Sequence, residues 1–590
     1  MRLLNTCTFE LENFATPEKA RYAILSHTWG EEEVTFAELR QPQKGTRGWD
    51  KIRRSSEKAL DLGYAYIWID TCCIDKSSSA ELSEAINSMY QWYEKAGICI
   101  AFLEDFTLTY GPSTLGSVEC RWFSRGWTLQ ELIAPSELLF YSRDWELIGT
   151  RTDLSSIIAK VSGIPEGMLE VGADSQRQRL DECSVAEKMS WAANRTTTRP
   201  EDLAYCLMGL FDINMPLLYG EGQAKAFKRL QEEIIRSTDD DSIYAWSYPK
   251  ETSAKQHFWG LLADDPSAFA RRHGDGHAIK RARYLTRRSN GDTTVSNRGL
   301  GVELALTPLR EDKSGTIFVA LLDCDVQQEG SSNVLTPGII LQKTAWHNDA
   351  EFVRIRPDYL LMLSMNHIIT AEDDSDRELA SLLRHFHLPE ARPRHVFVPH
   401  KLSPPRSPQG ILFHPEMTFA YRSLDPGTGV SVNVLSQPSN WLLYDETRID
   451  SSTARALASY VLTFDKSPDP KSITEPTMLG ALELYVTLRF RSLPKYVCLV
   501  MGLEPLPPNP FGTPPLYTVP WYAFIDKEDK VLAGGLNDVL AKENRTRQKP
   551  LSNGVLRVHF ELEARHSRLY YKAGLKVFPR VEIVDAEDGA

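Results

Sequence analysis

Four short apolar runs punctuate the first 142 residues: "YAILSHTW" (22–29), "AYIWID" (65–70), "ICIAFLE" (98–104) and "ELLFYS" (137–142). Each is strand-length and most end in polar residues, the pattern of buried strands in a parallel sheet. The segments between the first three have a helical period. "WDKIRRSSEKALDLG" (49–63) predicts a helix closed by Gly63. In "ELSEAINSMYQWYEKAG" (81–97), Leu82, Ala85, Ile86, Met89, Trp92, Tyr93 and Ala96 recur on one face. Strand–helix–strand alternation predicts an α/β domain with right-handed crossovers. Ligands of such sheets sit at the carboxyl ends of the strands.

The pattern then changes twice. Residues 184–238 read as helix throughout, with capping boxes at Ser184/Glu187 and Thr198/Glu201 and a third helix in "GEGQAKAFKRLQEEIIRS". The "TDDDS" run at 238–242 reads as a solvated linker closing this block. After residue 250 the segments are short and β-like, among them "GLGVELAL", "TIFVALLDC", "GIILQK", "ALELYVTLRF", "YVCLVMGL", "VLRVHFELEA" and "KVFPRVEIV", interrupted by proline-rich joints. The expected organisation is an α/β domain over 1–183, a helical extension over 184–240, and a mainly-β region over 250–590. That last region is sandwich- or barrel-like, with room for two subdomains. No internal repeat supports a propeller or solenoid.

Charge and cysteine usage narrow the function. The net charge is 67 − 79 = −12 with no basic block to offset it, which argues against nucleic-acid binding. A small anionic ligand needs only a local arginine or a helix N-terminus. Nine scattered cysteines with no CxxC pair exclude a zinc ribbon and fit reduced thiols in a cytosol. His385, His387, His395 and His400 stand among prolines without paired spacing, so no metal site is expected. "YGEGQAKA" (219–226) lacks the ending of a phosphate loop and reads as a glycine-flanked helix start. No leader-like or 18-residue apolar run predicts secretion or a membrane span.

Candidate chemistry gathers at predicted strand ends. The first offers Ser26, His27, Thr28 and Trp29; the second Asp70, Thr71, Cys72, Cys73 and Asp75. Ahead of the fourth strand, "CRWFSRGWTLQELIAP" (120–135) supplies Arg121, Arg125, Trp127 and Glu131. A helix starting near Gly126 places Trp127 and Glu131 on one face, with Leu129, Leu132 and Ile133 on the other. Glu131 then reads either as a surface acid or as the working group of a site. His27 reads as a base or a structural histidine, Asp70 as a sugar-hydroxyl ligand or a turn cap, and Trp127 as core or a ligand stack. A thiolate at Cys72 or Cys73 is disfavoured by the flanking Asp70 and Asp75.

The ordered blocks "YAILSHTWG", "YIWIDTCCIDK", "RWFSRGWTLQELIAP" and "LAYCLMGLFDINMPLLYGEG" resemble the heterokaryon-incompatibility (HET) domain of filamentous fungi over roughly residues 20–235. The resemblance implies a role in nonself recognition and programmed cell death, and a TIR-related, flavodoxin-like parallel sheet. Some TIR domains cleave NAD with a glutamate in a Trp-x-x-x-Glu helix, and Trp127 and Glu131 have that spacing. The resemblance thereby implies a nucleotide site with NAD as a substrate rather than a cofactor, and Glu131 as the catalytic residue. Ser26, His27, Trp29, Asp70, Arg125 and Trp127 would bind the substrate, and an oligomer would be the active state. One carboxylate suffices for such chemistry, because nicotinamide leaves as a neutral molecule from an oxocarbenium-like state. The competing expectation is a non-enzymatic death-signalling adaptor that uses the same surface as a protein interface. The β-rich region would then regulate the domain or recognise a partner protein.

Overall fold

The structure is a computed structural model. It describes residues 1–40, 45–170, 173–270, 278–281, 293–309, 315–327, 334–344, 350–363, 368–369 and 391–400, and beyond residue 400 the backbone of the strand segments. By its contacts the chain forms two compact units. The first comprises Met1–Arg310, Phe318–Gln342 and Phe352–His400; the second comprises Glu311–Ile317, Lys343–Glu351 and Lys401–Ala590.

The first unit opens with a seven-stranded sheet. Its strands are β1 (Arg2–Asn5), β2 (Leu11–Asn13), β3 (Ala23–His27), β4 (Tyr66–Trp68), β5 (Ile98–Phe102), β6 (Leu138–Tyr141) and β7 (Leu147–Thr150), in the order β2-β1-β4-β3-β5-β6-β7. The four apolar runs of the sequence form its parallel centre, β4-β3-β5-β6. Antiparallel strands extend both edges: β1 and β2 beyond β4, and β7 beyond β6. Every residue of β3 and β5 is buried, so their unbroken apolarity reflects cover on both faces. The chain passes from β3 to β4 on one side, then returns to β5 on the other. The polar residues that end β3 therefore face a change of winding direction, where open sheets leave a crevice.

Two long helices cover this sheet. α1 (Arg47–Asp61) begins where Thr46 accepts from the Trp49 amide. It ends at Gly63, whose φ of +83° lets the Tyr64 amide reach back to the Ala59 carbonyl. Next come the short α2 (Asp70–Cys73) and then α3 (Ser79–Lys95), capped by Ser78 and burying Ala85, Ile86, Met89, Tyr90, Trp92 and Tyr93. Between β5 and β6 lie α4 (Arg121–Ser124) and α5 (Thr128–Ile133). Buried Arg151 holds the end of α5, its guanidinium donating to the carbonyls of Leu132 (2.9 Å), Pro135 (2.8 Å) and Leu169 (3.1 Å).

Residues 184–238 are not helical throughout. Short helices at Val185–Ser190 and Asp202–Tyr205 and a 3-10 turn at Met208–Phe211 precede one long helix, Gln223–Ser237. Both predicted capping boxes are corrected. Ser184 does accept from the Glu187 amide, but the Glu187 carboxylate turns away to Lys280 at 2.9 Å. Glu201 is itself the N-cap of its helix, and its carboxylate accepts from the Gly220 and Gly222 amides instead. The 238–242 run is no solvated linker either. Asp240 is buried, accepting from the amides of Val185 and Ser242.

The first unit continues into a ten-stranded sheet. Its main path is Ile368–Ile369, Leu361–Leu363, Val334–Lys343, Ile317–Leu321, Gly299–Pro308 and Arg392–Pro399. Fully buried Arg354 joins it to the preceding segment, donating to the carbonyls of Tyr244 and Trp246 and lying 3.8 Å from the Trp246 ring. In the second unit the strand segments form sheets of five, three and four strands, so the region after 250 is β-rich as expected. His395 lies in the Arg392–Pro399 strand, while His385 and His387 fall outside the described residues. No helix of the described residues is long and apolar enough to cross a membrane. The eight described cysteines are free.

The Arg151 contacts give a stability prediction. Arg151→Met leaves several buried carbonyls without a donor and is expected to cost roughly 3 kcal/mol. Urea denaturation followed by tryptophan fluorescence measures it. Arg151→Lys should recover only part, because an ammonium cannot span carbonyls spread around a planar fork.

Candidate functional site

A cleft of about 260 Å³ opens over the carboxyl ends of β3 and β4. Its polar lining includes His27, Trp29, Asp70, Arg125, Trp127 and Glu131, all singled out from the sequence. Leu82, Ile86 and Met89 of α3 form an apolar wall. Ser26 lies beneath, fully buried, donating to Glu131 Oε2 (2.5 Å) and accepting from Trp122 Nε1 (2.8 Å).

α5 is not two-faced. Thr128, Leu129, Gln130, Glu131, Leu132 and Ile133 are all buried. The face with Glu131 meets the cleft instead of bulk solvent, because α5 is enclosed by the sheet on one side and by the 195–206 segment on another. The connection is close. The Gly126 amide donates to Thr196 O and the Thr196 amide to Ser124 O. A Cβ at Gly126 would stand 2.5 Å from Thr197 Cγ2 and 3.2 Å from Cys206 Sγ. Buried Arg195 ties the turn further, donating to Arg125 O (2.9 Å) and Thr128 Oγ1 (3.0 Å).

Burial dominates the electrostatics. It pushes the Glu131 carboxyl up to about 8; the Ser26 hydrogen bond, Arg125 and Tyr93 favour the ionised form, and the Asp70 charge opposes it. His27 is pushed well below the usual imidazole range, first by burial and then by Lys51, Lys76 and Arg125. Neither ring nitrogen of His27 has a hydrogen-bond partner among the described residues. Its Nε2 lies 3.8 Å from both Glu33 Oε2 and Asp70 Oδ1. Burial lowers Lys76 as well, against the pull of Asp70.

The aromatic residues are fixed by acids. Trp29, 41% exposed at the rim, donates from Nε1 to Asp70 Oδ2 (2.9 Å), and Lys76 Nζ lies 3.4 Å from its ring centre. Trp127 donates to Asp202 Oδ2 (3.3 Å), and the Tyr219 hydroxyl donates to Asp202 Oδ1 (3.0 Å). Arg199 lies 4.2 Å from the Tyr219 ring. Sequence pattern does not single out Lys76, Arg199, Asp202 and Tyr219, and it marks Tyr93 only as part of a helix's apolar face, although all five line the cleft. Lys76 and Tyr219 stand inside two of the ordered motif blocks, and that is the one signal the sequence offers for them.

Other strand-end residues do not reach the cleft. Arg121 donates to Trp29 O and lines a neighbouring, larger cleft of about 1050 Å³ with Glu33, Lys51 and Arg143. Thr71, Cys72 and Cys73 are buried, and Asp75 accepts from Ser77. The Cys72 thiol is held protonated, chiefly by its interaction with Cys73 and by burial, which gives no footing to a cysteine nucleophile.

Residues 22–117 match the family described as heterokaryon incompatibility protein (HET). Residues 225–331 match a domain of unknown function (DUF8212). Over 222 residues the chain is 47% identical to vegetative incompatibility protein HET-E-1 of Podospora anserina, a stretch covering 36% of this chain and 16% of that relative. No solved structure matches the chain. The HET match includes His27, Trp29, Asp70 and Lys76 and stops before Arg125, Trp127 and Glu131.

The raised Glu131 carboxyl carries a signed pH dependence. Unfolded, the group ionises near its ordinary 4.5; folded, it keeps its proton up to about 8. The folded state therefore binds more protons between those values, and stability falls as pH rises through that window. Glu131→Gln removes the titration. Denaturation midpoints of the wild type should drop relative to Glu131→Gln from about pH 4.5 to 8, with parallel behaviour below it.

Proposed function

We propose that this chain, whose N-terminal domain is a HET domain, acts in the cytosol in fungal heterokaryon incompatibility, and that the domain hydrolyses NAD through Glu131. The observation that carries the enzymatic part is the burial of Glu131 in one cleft with His27, Trp29, Asp70, Arg125 and Trp127. The parallel order β4-β3-β5-β6, second-first-third-fourth along the chain, supports a TIR- or flavodoxin-like reading of the domain.

The lining suits a ligand with both signs of charge. Asp70, Glu131 and Asp202 supply carboxyls, and Lys76, Arg125 and Arg199 supply cations. NAD joins a cationic nicotinamide to an anionic diphosphate. A cationic ring beside Glu131 favours its carboxylate form, so binding itself prepares the charge that the reaction uses. The ribosyl carbon–nitrogen bond breaks and its electron pair leaves with nicotinamide, which becomes neutral. The carboxylate stabilises the oxocarbenium-like state, and water then adds to that carbon and loses a proton. Trp29 and Trp127 supply faces for ring stacking, and Arg125 a guanidinium for the phosphates. Self-association and a regulatory partner for the β-rich region complete the reading.

The test incubates the purified full chain with NAD and follows nicotinamide release. Wild type should release nicotinamide, and Glu131→Gln should lower the rate by roughly a hundredfold. No release under conditions that support oligomers sinks the hydrolase reading and leaves the adaptor role. Release unchanged by the substitution removes Glu131 from the mechanism.

A further inference from the structure

The imidazole of His27 is the least satisfied polar group in the cleft. It is fully enclosed at the end of β3, and neither nitrogen has a hydrogen-bond partner among the described residues. A buried ring of this kind loses two hydrogen bonds to water on folding and regains none, a cost that native interiors rarely carry without a reason. The ring borders the cleft while remaining almost wholly buried, its side chain 1% exposed. The residues around it also block the usual alternative of a charged imidazolium paired to an acid. Lys51 is committed to Glu33 at 2.5 Å, Lys76 lies near Asp70 at 3.8 Å, and both cations, with Arg125, face the ring. Glu33 and Asp70 each approach Nε2 only to 3.8 Å, beyond bonding distance but close enough for one oxygen between them to be shared.

We infer that His27, as a neutral ring, reads a ribosyl hydroxyl edge of the ligand together with Asp70. A neutral imidazole offers one donor and one acceptor. The Asp70 carboxylate lies 3.8 Å from Nε2, so one sugar hydroxyl can accept from an Nε2–H while donating to Asp70. His27 and Glu131 both line this cleft, so the sugar read here is taken as the one whose anomeric carbon faces that carboxyl. His27 is thus a binding residue that selects for a sugar at the reacting end of the ligand. This rests on the cleft being a nucleotide site but not on turnover.

The experiment compares ADP-ribose with ADP, which lacks the second ribose, on the full chain by calorimetry. His27→Phe should weaken ADP-ribose by at least about tenfold and leave ADP within about threefold, while His27→Gln, which keeps a donor and an acceptor, recovers part of the loss. Should the Phe variant fail to fold, nitrogen NMR of the wild-type histidine rings provides the readout: the His27 signals should move with ADP-ribose and not with ADP. Equal weakening of both probes, no weakening, unmoved His27 signals, or no binding of ADP-ribose to wild type overturns the assignment. ADP-ribose binding through His27 without nicotinamide release from NAD sinks the hydrolase reading and leaves this one standing. Nicotinamide release with a His27→Phe variant that binds both probes normally does the reverse.

Discussion

The burial of one carboxyl organises the cleft end of this domain. Glu131 sits where ionisation is costly, and the structure compensates first with an oriented hydroxyl and then with the Arg125 charge. Ser26 can donate to it because Trp122 donates to Ser26 in turn. That chain links the end of β3 to α4 and α5, so the strand and the acid cannot move independently. Thr128 reinforces it, its single hydroxyl proton directed at Trp122 O with Arg125 O also within reach. Arg195 then holds Thr128 and Arg125 from the outside. Each of these groups is buried or partly so, where an unmade hydrogen bond costs more than a made one gains. The network is therefore specified as a whole.

Opposite charges share the cleft, and of them Lys76 and Asp70 form a loose ion pair at 3.8 Å. Asp70 is spent on Trp29 and lies near Lys76; Asp202 is spent on Trp127 and Tyr219. The acids thereby position aromatic rings at the walls, while the Arg125 guanidinium donates to Thr198 Oγ1 at 3.4 Å. The cleft thus combines fixed rings, an acid whose burial favours its protonated form and an imidazole with no hydrogen-bond partner among the described residues. The neighbouring cleft is lined by ion pairs such as Lys51–Glu33 and Arg54–Asp50, whose charges offset one another.

The α/β domain is legible in the sequence because its signals are local. Unbroken apolar runs name β3 to β6, and a 3.6-residue period, with a closing glycine for α1, names α1 and α3. Where local signals mislead, a tertiary partner has displaced the expected one. Glu187 prefers Lys280 to its own helix end, Glu201 prefers two glycine amides, and Asp240 goes into the core to cap Val185. The two-faced reading of α5 fails for a related reason. Periodicity ranks the faces of a helix by composition, but it cannot see a second layer, here residues 195–206, closing over the polar one.

By itself, the sequence determines which residue types reach the strand ends, because strand length and chain direction are written in local pattern. Ser26, His27, Trp29, Asp70, Arg125, Trp127 and Glu131 are all legible in that way. Tertiary structure alone decides what state they are in. Protonation of Glu131, neutrality of His27 and the recruitment of Asp202 to Trp127, 75 residues away, depend on burial and on groups brought close only by folding. Solvation and Coulomb energies act through space, and separation along the chain does not encode it.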